Sequence, residues 1–434
     1  MMIKVSVIVP IYNAESFLAQ CLQSVTKQTL QDMEIICVND GSTDSSPAII
    51  EEFAAKDPRM VIIDKPNTGY GHSMNVGIEA ARGEYIGVVE SDDFVEPEMF
   101  EELYQAASQY DSEIVKSNFW FYWSDRGDKF QELFPDIPYE INFTPREYPE
   151  MFSGPVFLWT GIYRRKFLLS NGISFRESPG ASFQDVGFTV KVLACAKKMQ
   201  LIPKAYYHYR QDNENSSMHS KGKVFCVADE FQEVWQYLSA RQEIMEKVKY
   251  AVPPAQFQRL KESFGRIDDQ FKWDFIARME NDFAKLNKEG FLRKEYWSEE
   301  QWDLARNFAQ SYCKGLTEPK KLYWMRRGML SLLIKFSCVY IYGAGVRGKF
   351  VCEYLQGEGI SIAGFVVTKN DDEPQSFLNL PVLSIESAKF DEDTMILIAI
   401  KAPGLYEAVR EMEERGITNY IAVDDELYKN LHDK

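Results

Sequence analysis

Four apolar, β-branched runs at residues 4–9, 33–38, 60–64 and 85–89 alternate with three stretches that carry apolar side chains at helical spacing. In the first such stretch, Phe17, Leu18, Cys21, Leu22 and Val25 share one face. This alternation predicts a parallel sheet with helices on both of its faces. Open α/β sheets bind ligands at the carboxyl ends of their strands. Two of those ends are acidic here: Asp40 follows the second run, and Glu90-Ser91-Asp92-Asp93 follows the fourth. Three carboxylates within four residues repel one another and are costly to desolvate. A cation at the mouth of the fourth strand would relieve both costs. Hard oxygen ligands beside a diphosphate suit Mg²⁺ or Mn²⁺. The same turn also reads as a solvated cap on a helix that begins near Pro97. No G-x-G-x-x-G follows the first run, so a dinucleotide fingerprint is not expected there.

The 434 residues allow two or three domains, and a 45% hydrophobic, 14% aromatic content fits a well-packed globular chain. A formal charge of -16 argues against an extended nucleic-acid surface. It also means that a phosphorylated ligand needs a metal ion or a local basic pocket. The seven cysteines are scattered singly without a CxxC, which suggests reduced thiols in the cytoplasm. The first residues lack the length and cleavage pattern of a signal peptide, and no stretch is apolar enough to span a bilayer.

The runs V-S-V-I-V-P-I-Y-N and V-N-D-G-S-T-D, the Asn67/Gly69/Asn75/Gly77 loop and E-S-D-D together resemble family 2 glycosyltransferases with the GT-A fold, over about the first half of the chain. The resemblance implies an α/β nucleotide-sugar-binding domain and a nucleotide diphosphate sugar donor, with UDP the expected nucleotide. It implies that Pro10 and Tyr12 line the base pocket, that Asp40 contacts the base, and that Asn67, Gly69, Asn75, Glu90 and Ser91 contribute to donor binding. Asp92 and its neighbour Asp93 would hold Mn²⁺ or Mg²⁺. The motif in Ser182-Phe183-Gln184-Asp185-Val186-Gly187-Phe188 resembles the family's E-D-x-x-F, whose Asp is the catalytic base, here Asp185. Read from its own surroundings, Asp185 could equally be a helix N-cap. In parts of the family a His beyond the base completes the metal shell, which implies His219 and, as a second choice, His208; an Arg or Lys in this region meets phosphate. Three positions depart from the family pattern. Glu90 replaces the first Asp, Gln184 replaces Glu, and Met74 stands where Arg usually precedes Asn75. The last departure leaves the diphosphate charge to the metal, to helix N-termini or to another basic residue.

The aromatic end Phe119-Trp120-Phe121-Tyr122-Trp123 fits core packing or an acceptor platform for sugar rings. Residues 124–151 read as an irregular insertion, 156–163 as a strand, and 224–240, 254–287 and 298–315 as helices. Residues 319–352 contain no Asp or Glu, and a basic, aromatic segment at 320–335 suits either an anionic membrane surface or an acidic neighbouring element. Beyond it, G-A-G-V-R-G follows a strand and opens a helix, with further strands expected at 362–367, 395–399 and 419–423. The expected organisation is a GT-A domain at 1–220, a helical segment at 221–336 and a small Rossmann-like α/β domain at 337–434. That last domain could sense a nucleotide sugar or serve as an assembly scaffold. The expected activity is inverting, metal-dependent transfer of a sugar to a hydroxyl of a glycan or lipid-linked acceptor in bacterial-type surface polysaccharide synthesis, by a chain that could form a homo-oligomer. A non-catalytic nucleotide-sugar-binding scaffold is the rival reading, and a redox step in the last domain a second rival.

Overall fold

The computed structural model describes residues 2–181, 183–213, 223–268, 271–299, 301–302, 305–306, 329–330, 332–368, 376–386, 388–401, 404–423 and 425–432. His219, Ser182 and most of the basic segment at 320–335 lie outside these residues. The chain divides by its internal contacts into two units, Met1–Ser263 and Phe264–Lys434.

The first unit opens with β1 (Val5–Ile11), α1 (Glu15–Thr26), β2 (Met33–Asp40), α2 (Ser46–Ala54), β3 (Met60–Lys65), α3 (Tyr70–Ala80) and β4 (Tyr85–Val88). These strands pair in parallel in the order β3-β2-β1-β4. Every residue of β1 and β2 is buried, as expected for strands covered on both faces. The sheet then continues with β5 (Phe94–Val95), β6 (Ile114–Trp123), β7 (Gly127–Gln131), β8 (Gly161–Arg164) and β9 (Met199–Arg210). The full order is β3-β2-β1-β4-β8-β6-β9-β5, with β7 a hairpin arm on β6. Strand β8 runs antiparallel to both β4 and β6, whereas β9 is parallel to β6 and antiparallel to β5. The helices Met99–Tyr110, Gln184–Cys195 and Cys226–Ser239 complete the part that bears on the site.

Two expectations change. The run at 156–163 is not one strand: Leu158–Thr160 forms a 3-10 turn ahead of β8. The buried Lys116 amine donates to Phe157 O (2.6 Å) and Thr160 Oγ1 (3.0 Å), which holds this turn in place. The insertion at 124–151 is also more ordered than expected, since it contains β7, a 3-10 turn at Pro145–Glu147 and the short helix Glu150–Ser153.

In the second unit, β10 (Cys338–Tyr342), β11 (Gly364–Val367), β12 (Ser376–Phe377), β13 (Leu380–Ser384), β14 (Thr394–Ile398) and β15 (Tyr420–Ala422) form a sheet ordered β12-β13-β11-β10-β14-β15. All of its pairings are parallel except β12 with β13. Apolar clusters around Ile341, Leu355, Phe365 and Leu397, and around Val366, Ile396 and Met412, fill its two sides. Gly343 has φ +111, and a Cβ on Gly348 would lie 1.8 Å from Gly343 O. Side chains are therefore excluded at the turn from β10 into the helix Val346–Gly357. Strands β12 and β13 had no counterpart in the sequence reading. Among the described residues no helix is long and apolar enough to cross a membrane.

Candidate active site

The strand ends of the first unit surround one cavity of about 360 Å³. Its lining includes Pro10, Tyr12, Asp40, Asn67, Tyr70, Glu90, Ser91 and Asp92, together with Gly180, Ala181, Asn213 and Lys223. Seven of the residues singled out from the sequence thus meet in one place: Pro10, Tyr12, Asp40, Asn67, Glu90, Ser91 and Asp92. They converge because β1 lies between β2 and β4 in parallel register, which brings the ends of all three strands to the same edge.

At one side of the cavity Tyr12 is 52% exposed, its ring open to solvent. The turn beside it is stitched by its own polar residues. Asn13 Oδ1 accepts from Thr43 N (2.8 Å), and Ser42 Oγ accepts from Asn13 N (3.0 Å). The buried Asp40 carboxylate accepts from Thr68 N (2.8 Å) and Gly69 N (2.9 Å), and from the Lys65 amine. It therefore fixes the 67–69 loop against the end of β2. Gly69 has φ +96, and a Cβ there would lie 2.4 Å from Ser178 O. At Gly71 a Cβ would lie 2.0 Å from Arg176 O. These two glycines let the 176–180 backbone close over the start of α3. Asn75 serves the same contact, since it donates to Phe175 O (2.9 Å) and accepts from Phe175 N (2.8 Å). Gly69 and Asn75 thus shape the cavity from behind and are not part of its lining.

The acidic turn after β4 splits its carboxylates between two tasks. Asp93 is buried, and its two oxygens accept from Tyr207 Oη (2.8 Å) and Arg210 N (2.8 Å). Burial, reinforced by the charge of Asp92, pushes its carboxyl well above the usual carboxylate range. Asp93 is therefore an anchor that ties the turn to β9, and it is not in the cavity lining, in contrast to the metal role expected from the sequence. Asp92 lines the cavity and accepts from Asn213 Nδ2 (2.8 Å) through one oxygen. Glu90 accepts from Tyr70 Oη (2.7 Å), and burial, with the charges of Asp92 and Asp185 adding, pushes its carboxyl up to about 8. Arg210 lies beneath the turn and donates to Asp92 O (2.8 Å), Gln20 Oε1 (2.6 Å) and Ser124 Oγ (3.1 Å).

Among the described residues no group of three or more His, Cys, Asp or Glu has the geometry of a protein-only metal cage. The cavity-lining carboxylate Asp92 still suits Mg²⁺ or Mn²⁺, because such an ion commonly takes one or two carboxylates and completes its shell with substrate phosphates and water. His208 does not join this set. It is buried, stacked on Phe94 at 4.4 Å, and its Nε2 lies 2.9 Å from Glu96 Oε1.

Asp185 occupies the first turn of the helix Gln184–Cys195. Phe183, immediately before that helix, takes a left-handed conformation at φ +65, which a bulky side chain rarely adopts. Asp185 is close enough to Glu90 and Tyr209 for its charge to raise both of their pKa values. Gln184 donates to Ser178 Oγ (2.8 Å) and Gly180 O (3.0 Å). A glutamate in its place could not donate to that carbonyl, which accounts for the amide here. Around Tyr209, Trp159 stacks on Tyr207 at 4.1 Å and on Phe157 at 4.9 Å, forming an aromatic wall near the carboxylates.

The sequence reading missed Tyr70, Tyr207, Arg210 and Lys223. The first three act through partners far away in the chain, which no local spacing reveals. Lys223 sits in a polar stretch whose only signal was the general expectation of a basic residue near this point.

A model of the family "Glycosyl transferase family 2" matches residues 6–171. The chain is 42% identical over 218 residues to the glycosyltransferase GlyG of Streptococcus pneumoniae, covering 48% of this chain and 70% of that protein. It is 35% identical over 218 residues to EpsJ, an uncharacterized glycosyltransferase of Bacillus subtilis, covering 49% of this chain and 62% of that protein. The chain thus spans less than two thirds of the length of the Bacillus relative. The crystal structure of S. aureus TarS 1-349 in complex with UDP-GlcNAc superposes with a TM-score of 0.54 at 21% identity, over 71% of this chain and 91% of that one, a likeness of fold. The parallel strands, their acidic ends and these similarities agree: the chain belongs to glycosyltransferase family 2, with a GT-A fold and a further C-terminal α/β unit.

Proposed function

We propose that the chain transfers a sugar from a nucleotide diphosphate sugar, with UDP as the nucleotide, to a hydroxyl of a glycan or lipid-linked acceptor in bacterial-type surface polysaccharide synthesis, with inversion at the anomeric carbon. The supporting observation is the single cavity that gathers Tyr12, Asp40, Glu90 and Asp92 at one sheet edge. The exposed Tyr12 ring offers a stacking face for the base, and the Asp40 edge is polar. Asp92 would hold Mn²⁺ or Mg²⁺, which supplies positive charge to the departing diphosphate. Asp185 accepts the proton of the acceptor hydroxyl, and a base positioned in this way contributes on the order of 10²–10⁴-fold. The aromatic wall of Phe157, Trp159 and Tyr209 suits the C–H face of an acceptor sugar. The TarS complex with UDP-GlcNAc supports a UDP-sugar as donor. His219 remains a proposed metal ligand, and the segment at 320–335 a proposed peripheral contact with the inner membrane face.

The C-terminal unit is read as a Rossmann-like module. At its glycine turn, the Arg347 guanidinium pairs with Asp425 and lies 4.6 Å from the Tyr428 ring centre, so this cation serves internal packing. That favours a scaffold role over a second nucleotide site.

The test is turnover of a panel of UDP-, GDP- and dTDP-sugars by purified protein with Mn²⁺. Turnover of a UDP-sugar that EDTA abolishes and Mn²⁺ or Mg²⁺ restores is the expected result. Activity indifferent to chelation removes the metal from the reading, and donor binding without any turnover favours the non-catalytic alternative.

A further inference from the structure

On the acceptor reading proposed above, we infer that Lys116 is a positioning residue for the acceptor sugar. Its buried amine holds the turn at Leu158–Thr160 in the shape that presents Phe157, stacked on Trp159, beside Tyr209.

Strand geometry alone would not build this wall. Residues i and i+2 of a strand stand about 6.5 Å apart along one face. The Phe157 and Trp159 rings instead stack with centroids 4.9 Å apart and planes 22° from parallel. The 3-10 turn that replaces the expected strand closes that gap. Phe119, fully buried on β6, meets both rings edge-on at 5.0 and 5.1 Å and supports them. Trp159 is itself buried, while Phe157 and Tyr209 keep part of their surface open. Those two are the rings an acceptor can reach.

Polar groups fix the turn. Phe157 O accepts from Thr160 Oγ1 (2.9 Å) as well as from Lys116 Nζ (2.6 Å), and Thr160 Oγ1 accepts from the same amine (3.0 Å). Lys116 is only 3% exposed, and no carboxylate among the described residues pairs with it. Burial pushes its pKa down to about 7. Packing does not explain so costly a side chain, since methionine fills similar space with no charge to desolvate. What the amine adds is directed donation to both ends of the turn from the neighbouring strand. The wall also runs on toward the donor edge, because Trp159 stacks on Tyr207 (4.1 Å), whose hydroxyl holds Asp93. A general loss of structure would therefore weaken UDP as well as the acceptor, and the two ligands separate a local role from a global one.

The experiment uses octyl glucoside, octyl galactoside and octyl N-acetylglucosaminide as acceptor probes and carries forward the one that wild-type protein glycosylates best. Acceptor KM and UDP affinity are measured for wild type, Lys116→Met, Thr160→Val, Phe157→Ala and the double variant of Lys116→Met with Phe157→Ala. Lys116→Met should raise acceptor KM about 3- to 10-fold, the worth of one aromatic contact, with UDP affinity held. Thr160→Val, which takes one acceptor from the amine and leaves the lysine in place, should raise it by less. Because Lys116 acts through Phe157, the double variant should be no worse than Phe157→Ala alone. A residue that only stabilises the fold would not show that non-additivity. An unchanged acceptor KM in Lys116→Met, additive losses, or a fall in UDP affinity that matches the rise in KM overturns the assignment while the acceptor reading stands. Should Lys116→Met fail to fold, Thr160→Val decides, and a wild-type acceptor KM there overturns the assignment too. A wild-type KM in Phe157→Ala, or a wild-type protein that turns over donor yet glycosylates none of the probes, sinks the acceptor reading itself.

Discussion

Both units of this chain build adjacent parallel strands and open a helix through glycines on which a Cβ would press against backbone, yet they put the resulting strand ends to different use. In the first unit, Gly69 and Gly71 admit a neighbouring loop, and the edge beside them carries Asp40, Glu90 and Asp92 around a cavity. In the second, Gly348 packs on Gly343 within one turn, and the nearby Arg347 is folded back onto Asp425 and Ile400 O. The lesson is that the sheet supplies an edge while the residue types placed there decide whether it becomes a site. Glycines alone mark close approach of backbone, whether or not a ligand follows.

The widest separation between the units should come from Asp185→Asn. This change removes the proposed proton acceptor and should cost about 10²–10⁴-fold in kcat while UDP binding persists. Equal turnover in the two proteins would detach the chemistry from this edge. A smaller loss is expected for Gln184→Glu, although it moves the chain toward the family pattern. The new carboxylate would face Gly180 O, forfeiting a donated bond worth about 1–3 kcal/mol once a buried partner is left bare. The expected outcome is a lower kcat with little change in UDP affinity, and an unchanged or higher kcat would refute it.

A matched pair tests the two glycine turns directly. In Gly71→Ala the new methyl meets Arg176 O, and in Gly348→Ala it meets Gly343 O. Each should lower stability by about 1–3 kcal/mol, the usual cost of overpacking. Only Gly71→Ala should also weaken donor turnover; a matching loss in Gly348→Ala would mean that the second unit takes part in the reaction. The smallest effect concerns Glu230, whose carboxyl has no hydrogen-bond donor among the described residues and lies against Gly187. Burial, with Glu233 adding, pushes it up to about 8 from an ordinary value of 4.5. The unfolded chain then ionises first as pH rises, so this group's contribution is complete below pH 4.5 and fades by about pH 8. Glu230→Gln should therefore lose less melting temperature than wild type between pH 5 and pH 8. Parallel curves would show that Glu230 does not titrate in this range.

The first four strands and the acidic ends of β2 and β4 could be read from the chain, because parallel strands buried on both faces are continuous apolar runs and because clustered carboxylates are conspicuous. The antiparallel additions were harder. Strand β8 is only Gly161–Arg164, and the apolar run before it is bent into a turn by a lysine more than forty residues earlier, at Lys116. The separate fates of Asp92 and Asp93 were not legible either, since only the fold brings Tyr207 and Arg210 beneath one and Asn213 onto the other. Lys223 carried no local signature; its meaning comes from the cavity it reaches.

Asp93 is held by hydroxyl and amide groups that arrive more than a hundred residues later in β9. A ribosome synthesising this chain therefore releases the acidic turn long before its clasp exists. A fragment ending at residue 171, where the family match stops, would possess every carboxylate of the turn and none of the β9 groups that orient it. Truncated or split versions of the chain cut between these points should yield material that folds its parallel strands yet never acquires an ordered acidic rim.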